Sequence, residues 1–415
     1  MDGNLEKRIR RHILSKTYRF LGVVQPAFRE TAKKEMQEQG FNVVGEVEGG
    51  IEFEGSLQEG WRANLVLRTI SRVYCRIASF RAGAREELYR KARGISWELW
   101  IDPTVPVRIE ASAHASRIHH EGVMRDTLME AIQDRWVDKA VGVPTPFEGD
   151  VDQAREDPTQ RILVHSEGYR CTISLDMSGE GLYRRGYRSI PGEAPIREDI
   201  AAALLFELGW KGRGILCDPM TGSGTFSIEA AQIGLRIPPG WNRWFQFQHW
   251  PSFRNPRWTF VKKQVVSNDS TMFQNTEGLY KNRLGIEKPF CFASDWETSA
   301  VEAARANSRN AGVETCILFE QKDFFTLNGE YIVSRIKNPG ERYLVLNPPY
   351  GKRLEADRKY PIRLWEHIRK SFPRWKILLL LPVSFDLSSR SMEEGRRILF
   401  RHGGLRIQAL LFKTD

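Results

Sequence analysis

Cysteine is scarce and scattered in this 415-residue chain: Cys75, Cys171, Cys217, Cys291 and Cys316, with no pair in CxxC spacing. Neither a disulfide framework nor a zinc site follows from them, and the histidines add no ligand spacing, so no metal is expected and a reducing cytoplasm fits. Long apolar runs are missing too. Runs such as Ile377–Val383 are strand-length, well short of the roughly 18 residues of a membrane span, so no membrane role is expected. The opening segment, MDGNLEKRIRRHILSKTYRF, carries basic residues with no apolar stretch behind them, which argues against a secretory signal. Internal repeats and low-complexity tracts are also absent. What is present is an ordinary folding composition, 41% apolar and 27% charged, which excludes a wholly disordered or collagen-like chain. The length suggests two or three domains. An excess of 62 basic over 52 acidic side chains, +10 at pH 7, points toward a polyanionic partner. Residues 1–17 then read as a basic arm, either disordered or touching nucleic acid.

The pattern changes near residue 190. Before it, strand-like runs (Tyr18–Val24, Gly50–Glu54, Val105–Ala113, Arg161–His165 and Tyr169–Asp176, the last two placed to pair) mix with amphipathic helices at Ala27–Gln39, Leu57–Leu67 and Val123–Val137. Such mixing predicts α+β modules in series. A loop rich in acid, Pro and Gly, Pro144–Pro158, interrupts them. Beyond residue 195, apolar runs at Ile215–Pro219, Phe290–Asp295, Ile317–Asp323, Tyr343–Asn347 and Ile377–Pro382 alternate with helical patterns at Ala194–Leu208, Thr225–Gly234 and Glu297–Ala311. That rhythm predicts an α/β, doubly wound parallel sheet. At the end, Arg397–Phe400 and Leu405–Lys413 flank Gly403-Gly404, a connection short enough only for an antiparallel hairpin. A parallel sheet closed by an antiparallel hairpin resembles the class I (Rossmann-like) methyltransferase topology.

The first of these strands runs into Asp218-Pro219-Met220-Thr221-Gly222-Ser223-Gly224-Thr225. Glycines at the carboxyl end of an α/β strand let a ligand approach the backbone. A nucleoside triphosphate loop would need GxxxxGK(S/T), and no Lys follows Gly224; a dinucleotide loop would need a third Gly where Ser227 stands. Asp218 suits a cationic amine, which a pyrophosphate ligand lacks. S-adenosylmethionine has such an amine, and its carboxylate can face the helix start at Thr225. Asp295, ending the second strand, is an acceptor for two ribose hydroxyls, and Asp323, after the third, for an adenine amine. Asp295 lies 73 residues beyond Gly222 rather than the roughly 20 of a compact unit, so an insertion must intervene. Residues 236–288 fit, with Trp241, Trp244, Trp250 and Trp258 among Phe245, Phe247, Phe253 and Phe260; they read as an aromatic satellite core covering the sheet edge, with base stacking as the other reading.

After the fourth strand stands Asn347-Pro348-Pro349-Tyr350. Consecutive prolines carry no N–H, so the turn offers the ligand carbonyls and no backbone donors from the prolines. The Asn347 amide oxygen and the Pro348 carbonyl can hold the two hydrogens of an exocyclic amine and present its lone pair, while Tyr350 stacks on an extruded base. Adenine, guanine and cytosine all carry such an amine.

On LYRKARGISW (88–97), GLYRRGYR (181–188), APIREDIAAALL (194–205), DPMTGSGTFSIEAA (218–231), ASDWETSAVEAARANSRNAGV (293–313) and LNPPYGKRL (346–354), the chain resembles bacterial THUMP-domain RNA methyltransferases that modify guanine N2 in large-subunit ribosomal RNA. The resemblance implies a ferredoxin-like region over 18–70, a THUMP module for RNA over 71–178, and a methyltransferase domain over 190–415 that contains the aromatic insertion. It implies S-adenosylmethionine held by Pro195, Asp218, Met220, Thr221, Gly222, Ser223, Gly224, Thr225, Asp295, Trp296, Asp323, Phe324 and Asn347. Catalysis would fall to Asn347, Pro348, Pro349 and Tyr350. By charge, Arg184, Arg185 and Arg188 between the halves are expected to grip RNA phosphates, with Arg117 and Arg125 as RNA-facing candidates in the THUMP module. Thr221 departs from the small Cys or Ala of that family's turn and Trp296 from a smaller residue; neither is expected to touch the hydrogen-bonding groups. An adenine-N6 DNA methyltransferase and a non-catalytic RNA-binding or ribosome-assembly protein are the rival readings; the RNA-binder-like first half disfavours the former, the intact ligand set the latter.

Overall fold

The computed structural model describes residues 3–118, 120–137, 143–147, 159–190, 195–268, 272–274, 280–282, 289–349, 359–385 and 395–415. The chain divides into two compact units, one of Met1–Val24, Lys33–Leu182 and Arg243–Val265, the other of Gln25–Ala32, Tyr183–Asn242 and Val266–Asp415.

The first unit carries strands β1 (Thr17–Val23), β2 (Asn42–Val47), β3 (Gly50–Ser56), β4 (Arg72–Arg81), β5 (Val107–His114), β6 (Gln160–Glu167) and β7 (Arg170–Asp176), in spatial order β2-β3-β1-β4-β7-β6-β5. β4 pairs antiparallel with β1 on one side and β7 on the other, so the two expected modules share one continuous sheet. The expected pairing of β6 with β7 is present. β2 and β4 escaped the sequence reading. β2 alternates only between exposed and half-buried positions, and Arg72, Arg76 and Arg81 interrupt the apolar run of β4. The basic N-terminal stretch is ordered: Gly3–Ile9 is helical, Arg10–Leu14 continues it as a π-turn, and Ile9 and Ile13 are buried. Two apolar residues four apart hold it down.

The aromatic insertion differs from its expectation in its partner. Phe245, Phe247, Trp250 and Trp258 are buried as a core element, but within the first unit. Phe247 stacks on Trp61 at 5.5 Å, meets Trp258 edge-on at 5.3 Å, and donates its N–H to the carbonyl of Met177. A flat indole face buried at Trp61 needs a flat partner, and the insertion provides it. A fragment ending at residue 190 would therefore lack part of its own core. Losing one large buried aromatic costs about 3–5 kcal/mol, comparable to the whole stability of many domains. Fragment 1–190 is expected to melt without a sharp transition, and a cooperative thermal unfolding curve with native near-ultraviolet circular dichroism would contradict this.

The second unit contains β8 (Ile215–Asp218), a small pair β9 (Met272–Gln274) and β10 (Tyr280–Asn282), then β11 (Cys291–Asp295), β12 (Ile317–Gln321), β13 (Arg342–Leu346), β14 (Lys376–Pro382), β15 (Arg396–His402) and β16 (Leu405–Lys413). Its seven-stranded sheet has the order β12-β11-β8-β13-β14-β16-β15. The first five of these are parallel; β16 runs antiparallel to β14 and forms the terminal hairpin with β15. This is the expected class I methyltransferase fold. Ile377–Leu381 are fully buried on a strand paired on both edges, by β13 and β16. Gly403 and Gly404 both have positive φ, 55° and 79°, which suits the tight turn of a twisted hairpin. No helix among the described residues is long and apolar enough to cross a membrane.

Candidate active site

Strand order reverses between β8 and β13, and in open α/β sheets ligands sit at such a switch, beyond the carboxyl ends of the strands. Four adjacent strands, β12, β11, β8 and β13, deliver Asp323, Asp295, the glycine turn and Asn347 to one cavity of about 830 Å³. Pro195, Met220, Thr221, Gly222, Ser223, Thr225, Trp296, Phe324, Pro348 and Pro349 also border it. Tyr350 lies outside the described residues.

The turn is held by a compact hydrogen-bond set. Gly224, at φ 91°, caps the helix Thr225–Gly234, and a Cβ there would stand 3.1 Å from Ala304 and Ile228. Gly222, at φ 51°, donates its N–H to Asp295 Oδ2 at 3.0 Å; a Cβ on it would meet no protein atom within 4 Å, so space beside this backbone is open to a ligand. The other Asp295 oxygen accepts from the N–H of Glu297. Burial raises the Asp295 pKa, opposed by the backbone N–H groups of Gly222 and Glu297. Asp323 is exposed, and its Oδ1 accepts from the Phe325 N–H.

Asp218 departs from its expected role. It does not border the cavity; it is buried beneath the turn, where Oδ2 accepts from Thr221 Oγ1 at 2.9 Å, from the Ser227 N–H and from Ser227 Oγ. Its Oδ1 is buried with no partner among the described residues. Thr221, expected to leave the hydrogen-bonding groups alone, is one of the donors that occupy Asp218, because its hydroxyl supplies what a smaller residue could not. Gly224 likewise stands behind the cavity wall. Desolvation pushes Asp218 up to about 7, against the pull of the Thr221 and Ser227 donors and with some help from the Asp295 charge. A carboxyl raised in the folded state binds its proton more tightly there than in the unfolded chain. Its contribution to stability therefore falls as pH rises from about 4 to about 7. Asp218→Asn is expected to flatten that decline, read as urea midpoints against pH for variant and parent; parallel profiles would contradict it.

Two of the arginines expected to meet RNA phosphates turn inward. Arg185 is buried, with its Nε 3.1 Å from the buried carboxylate of Glu229. Arg188 donates to Ser223 Oγ at 2.6 Å, to Thr225 Oγ1 at 2.9 Å and to Glu198 at 2.8 Å, so it braces the glycine turn. Charge alone suggested phosphate contact, but each guanidinium finds a carboxylate that a local reading cannot see. Arg184 is exposed. Arg117 lies over the Tyr169 ring at 5.3 Å, and Arg125 is more than half exposed beside Asp126.

Sequence reasoning missed one wall of the cavity, formed by Phe325, Tyr360 and Arg363. The Arg363 guanidinium lies 5.1 Å from the Phe325 ring centroid, and Tyr360 meets that ring edge-on at 6.0 Å. Tyr360 and Arg363 sit on the helix Tyr360–Ser371, whose buried Leu364, Trp365 and Ile368 and early Pro361 were signals that could have found it. Among the described residues, no three His, Cys, Asp or Glu side chains are grouped to hold a metal.

Residues 185–377 match the RMKL-like methyltransferase domain family, and residues 25–74 match the RlmL ferredoxin-like domain family. The chain is similar to "Ribosomal RNA large subunit methyltransferase K/L" of Shewanella frigidimarina, 30% identical over 94% of this chain and 52% of the relative. The protein of the same name from Syntrophotalea carbinolica is 32% identical over 82% of this chain and 46% of its own length. The chain thus spans about half the length of these curated relatives. Among solved structures, SMU.472 in complex with SAH superposes with a TM-score of 0.77 at 25% identity, covering 97% of this chain and 99% of that one.

Proposed function

We propose, from the match of residues 185–377 to the RMKL-like methyltransferase domain family and of residues 25–74 to the RlmL ferredoxin-like domain family, that the chain is an S-adenosylmethionine-dependent RNA methyltransferase acting on the exocyclic N2 of a guanosine in 23S ribosomal RNA. One observation carries the reading: an Asn-Pro-Pro turn without proline N–H donors shares a cavity with a glycine turn and two carboxylates. The printed name of the relatives supports ribosomal RNA as the substrate, and the SAH in the neighbour supports the cofactor.

The cavity fits the methyl donor on its own chemistry. Gly222 leaves open space beside its backbone, Asp295 borders the cavity with its carboxylate held by backbone N–H groups, and Asp323 offers an exposed carboxylate. S-adenosylmethionine, when bound, supplies an electrophilic methyl on a sulfonium. Asp295 would hold the ribose hydroxyls, Asp323 an adenine amine, and the start of the helix Thr225–Gly234 a carboxylate. Asn347 and Pro348 would accept the two hydrogens of the target amine and aim its lone pair. The amine nitrogen forms the new bond to carbon as the carbon–sulfur bond breaks, and the nitrogen sheds its proton afterward, so alignment supplies the acceleration and no general base is required. The first unit would capture structured RNA through its phosphates and shape.

Unmodified ribosomal RNA incubated with tritiated S-adenosylmethionine should yield N2-methylguanosine in nucleoside mass spectrometry. N6-methyladenine, or transfer to DNA alone, would overturn the substrate assignment. Asp295→Ala should weaken cofactor binding, since charged hydrogen bonds contribute about 1.5–3 kcal/mol each. Calorimetry with unchanged affinity would remove Asp295 from the cofactor site.

A further inference from the structure

We propose that a separate cavity in the first unit holds one nucleotide of an RNA strand, base inward and phosphate at its rim; this rests on the RNA-directed reading above. The cavity measures about 470 Å³, within the range of small-ligand sites. The helical N-terminal stretch forms one wall, with Arg8, His12 and Ile13. The start of β1 and the middle of β4 add Tyr18, Arg19, Arg76 and Ile77, and the segment Ile95–Trp100 completes it.

Its chemistry is two-layered. Ile13, Tyr18, Leu99 and Trp100 are buried apolar or aromatic side chains, and the Tyr18 and Trp100 rings meet edge-on at 5.4 Å. The Tyr18 hydroxyl donates to the Ile13 carbonyl at 3.0 Å, which fixes the turn between helix and strand, so the wall is built rather than loosely draped. Around this floor stand Arg8, His12, Lys16, Arg19 and Arg76. Acidic groups are present but outnumbered. Glu98 is shared by Arg8 at 2.6 Å and Arg135 at 3.1 Å, and Glu52 by Arg76 at 2.7 Å and Arg19 at 3.6 Å, while Arg19 also meets Glu54. Four guanidiniums thus face three carboxylates. Lys16 is exposed and makes no ion pair among the described residues. The carboxylates hold the arginines in place and leave surplus positive charge around an aromatic floor. A nucleotide matches both layers: its base has a π face for the floor, and its phosphate is the anion for the rim.

The test uses the full chain and a fluorescein-labelled single-stranded RNA oligonucleotide, with anisotropy titrations across a salt series. Lys16→Glu, at an exposed position, should weaken binding about 3- to 10-fold and reduce the slope of log affinity against log salt by about one phosphate contact. Lys34→Glu makes the same charge change at another exposed site of the unit and should stay within about twofold of the parent. Equal effects of the two substitutions would mean bulk charge and would overturn the proposal. So would uridine monophosphate binding as tightly as the oligonucleotide, which would assign the cavity to a free nucleotide. A parent chain that binds and methylates RNA while Lys16→Glu behaves like the parent would defeat this inference alone; a parent with no RNA affinity would defeat the functional reading with it.

Discussion

Asn347→Ala should abolish methyl transfer while leaving the fold and cofactor affinity close to the parent's. Asn347 follows β13 directly and borders the cavity, whereas most of the groups that would hold the methyl donor come from the ends of β8, β11 and β12. A preorganised polar group that acts on the reacting centre supplies about 2.7–4 kcal/mol of transition-state stabilisation. The turnover rate should therefore fall by about 100- to 1000-fold, with calorimetric affinity for S-adenosylmethionine unchanged. Asn347→Asp keeps an acceptor at the same place and should retain more activity than alanine. Turnover at the parent rate in Asn347→Ala would make the Asn-Pro-Pro turn a structural strand end and end the proposed mechanism.

Arg185→Ala should destabilise the protein rather than loosen its grip on RNA. The guanidinium and the carboxylate of Glu229 are both buried, at 1% and 0% side-chain exposure. Burial acts to lower the Arg185 pKa, and the Glu229 charge and hydrogen bond outweigh it, so the pKa is raised. Removing the arginine leaves a carboxylate in the interior without its ion-pair partner, an arrangement that costs about 3–5 kcal/mol. Replacing both residues by apolar side chains of similar size, Arg185→Met with Glu229→Leu, should recover much of the loss, because no charge is then stranded. Urea unfolding distinguishes the cases, and Arg184→Ala, at an exposed neighbour, should barely move the midpoint. An unchanged midpoint in Arg185→Ala, with weaker RNA binding, would restore the phosphate-contact role suggested by charge alone.

Much of the cavity was legible in the sequence because its parts are strand ends. A strand followed by a glycine turn and a helix has a local signature, as do an acid closing a strand and two prolines in succession. The parallel order of the sheet then places consecutive strand ends side by side, so Asp295, Asp323 and Asn347 converge without any long-range information beyond the α/β rhythm. The terminal hairpin was equally local, since paired glycines at 403 and 404 permit only one kind of turn.

By itself, then, the sequence determined the α/β class, the strand ends and the Asn-Pro-Pro turn, because each depends on periodicity or on the backbone limits of glycine and proline. The tertiary structure alone decided where the charged and aromatic side chains point. Arg185 finds Glu229 forty-four positions away, and Asp218 spends its Oδ2 on Thr221 and Ser227. Phe247 stacks on Trp61 in the first unit, whereas composition suggested the edge of the sheet that follows it. The helix carrying Tyr360 and Arg363 closes a wall to which no motif pointed. A charge or a ring is satisfied by whichever partner the fold brings within a few ångströms, and that partner's distance along the chain leaves no mark on the local pattern.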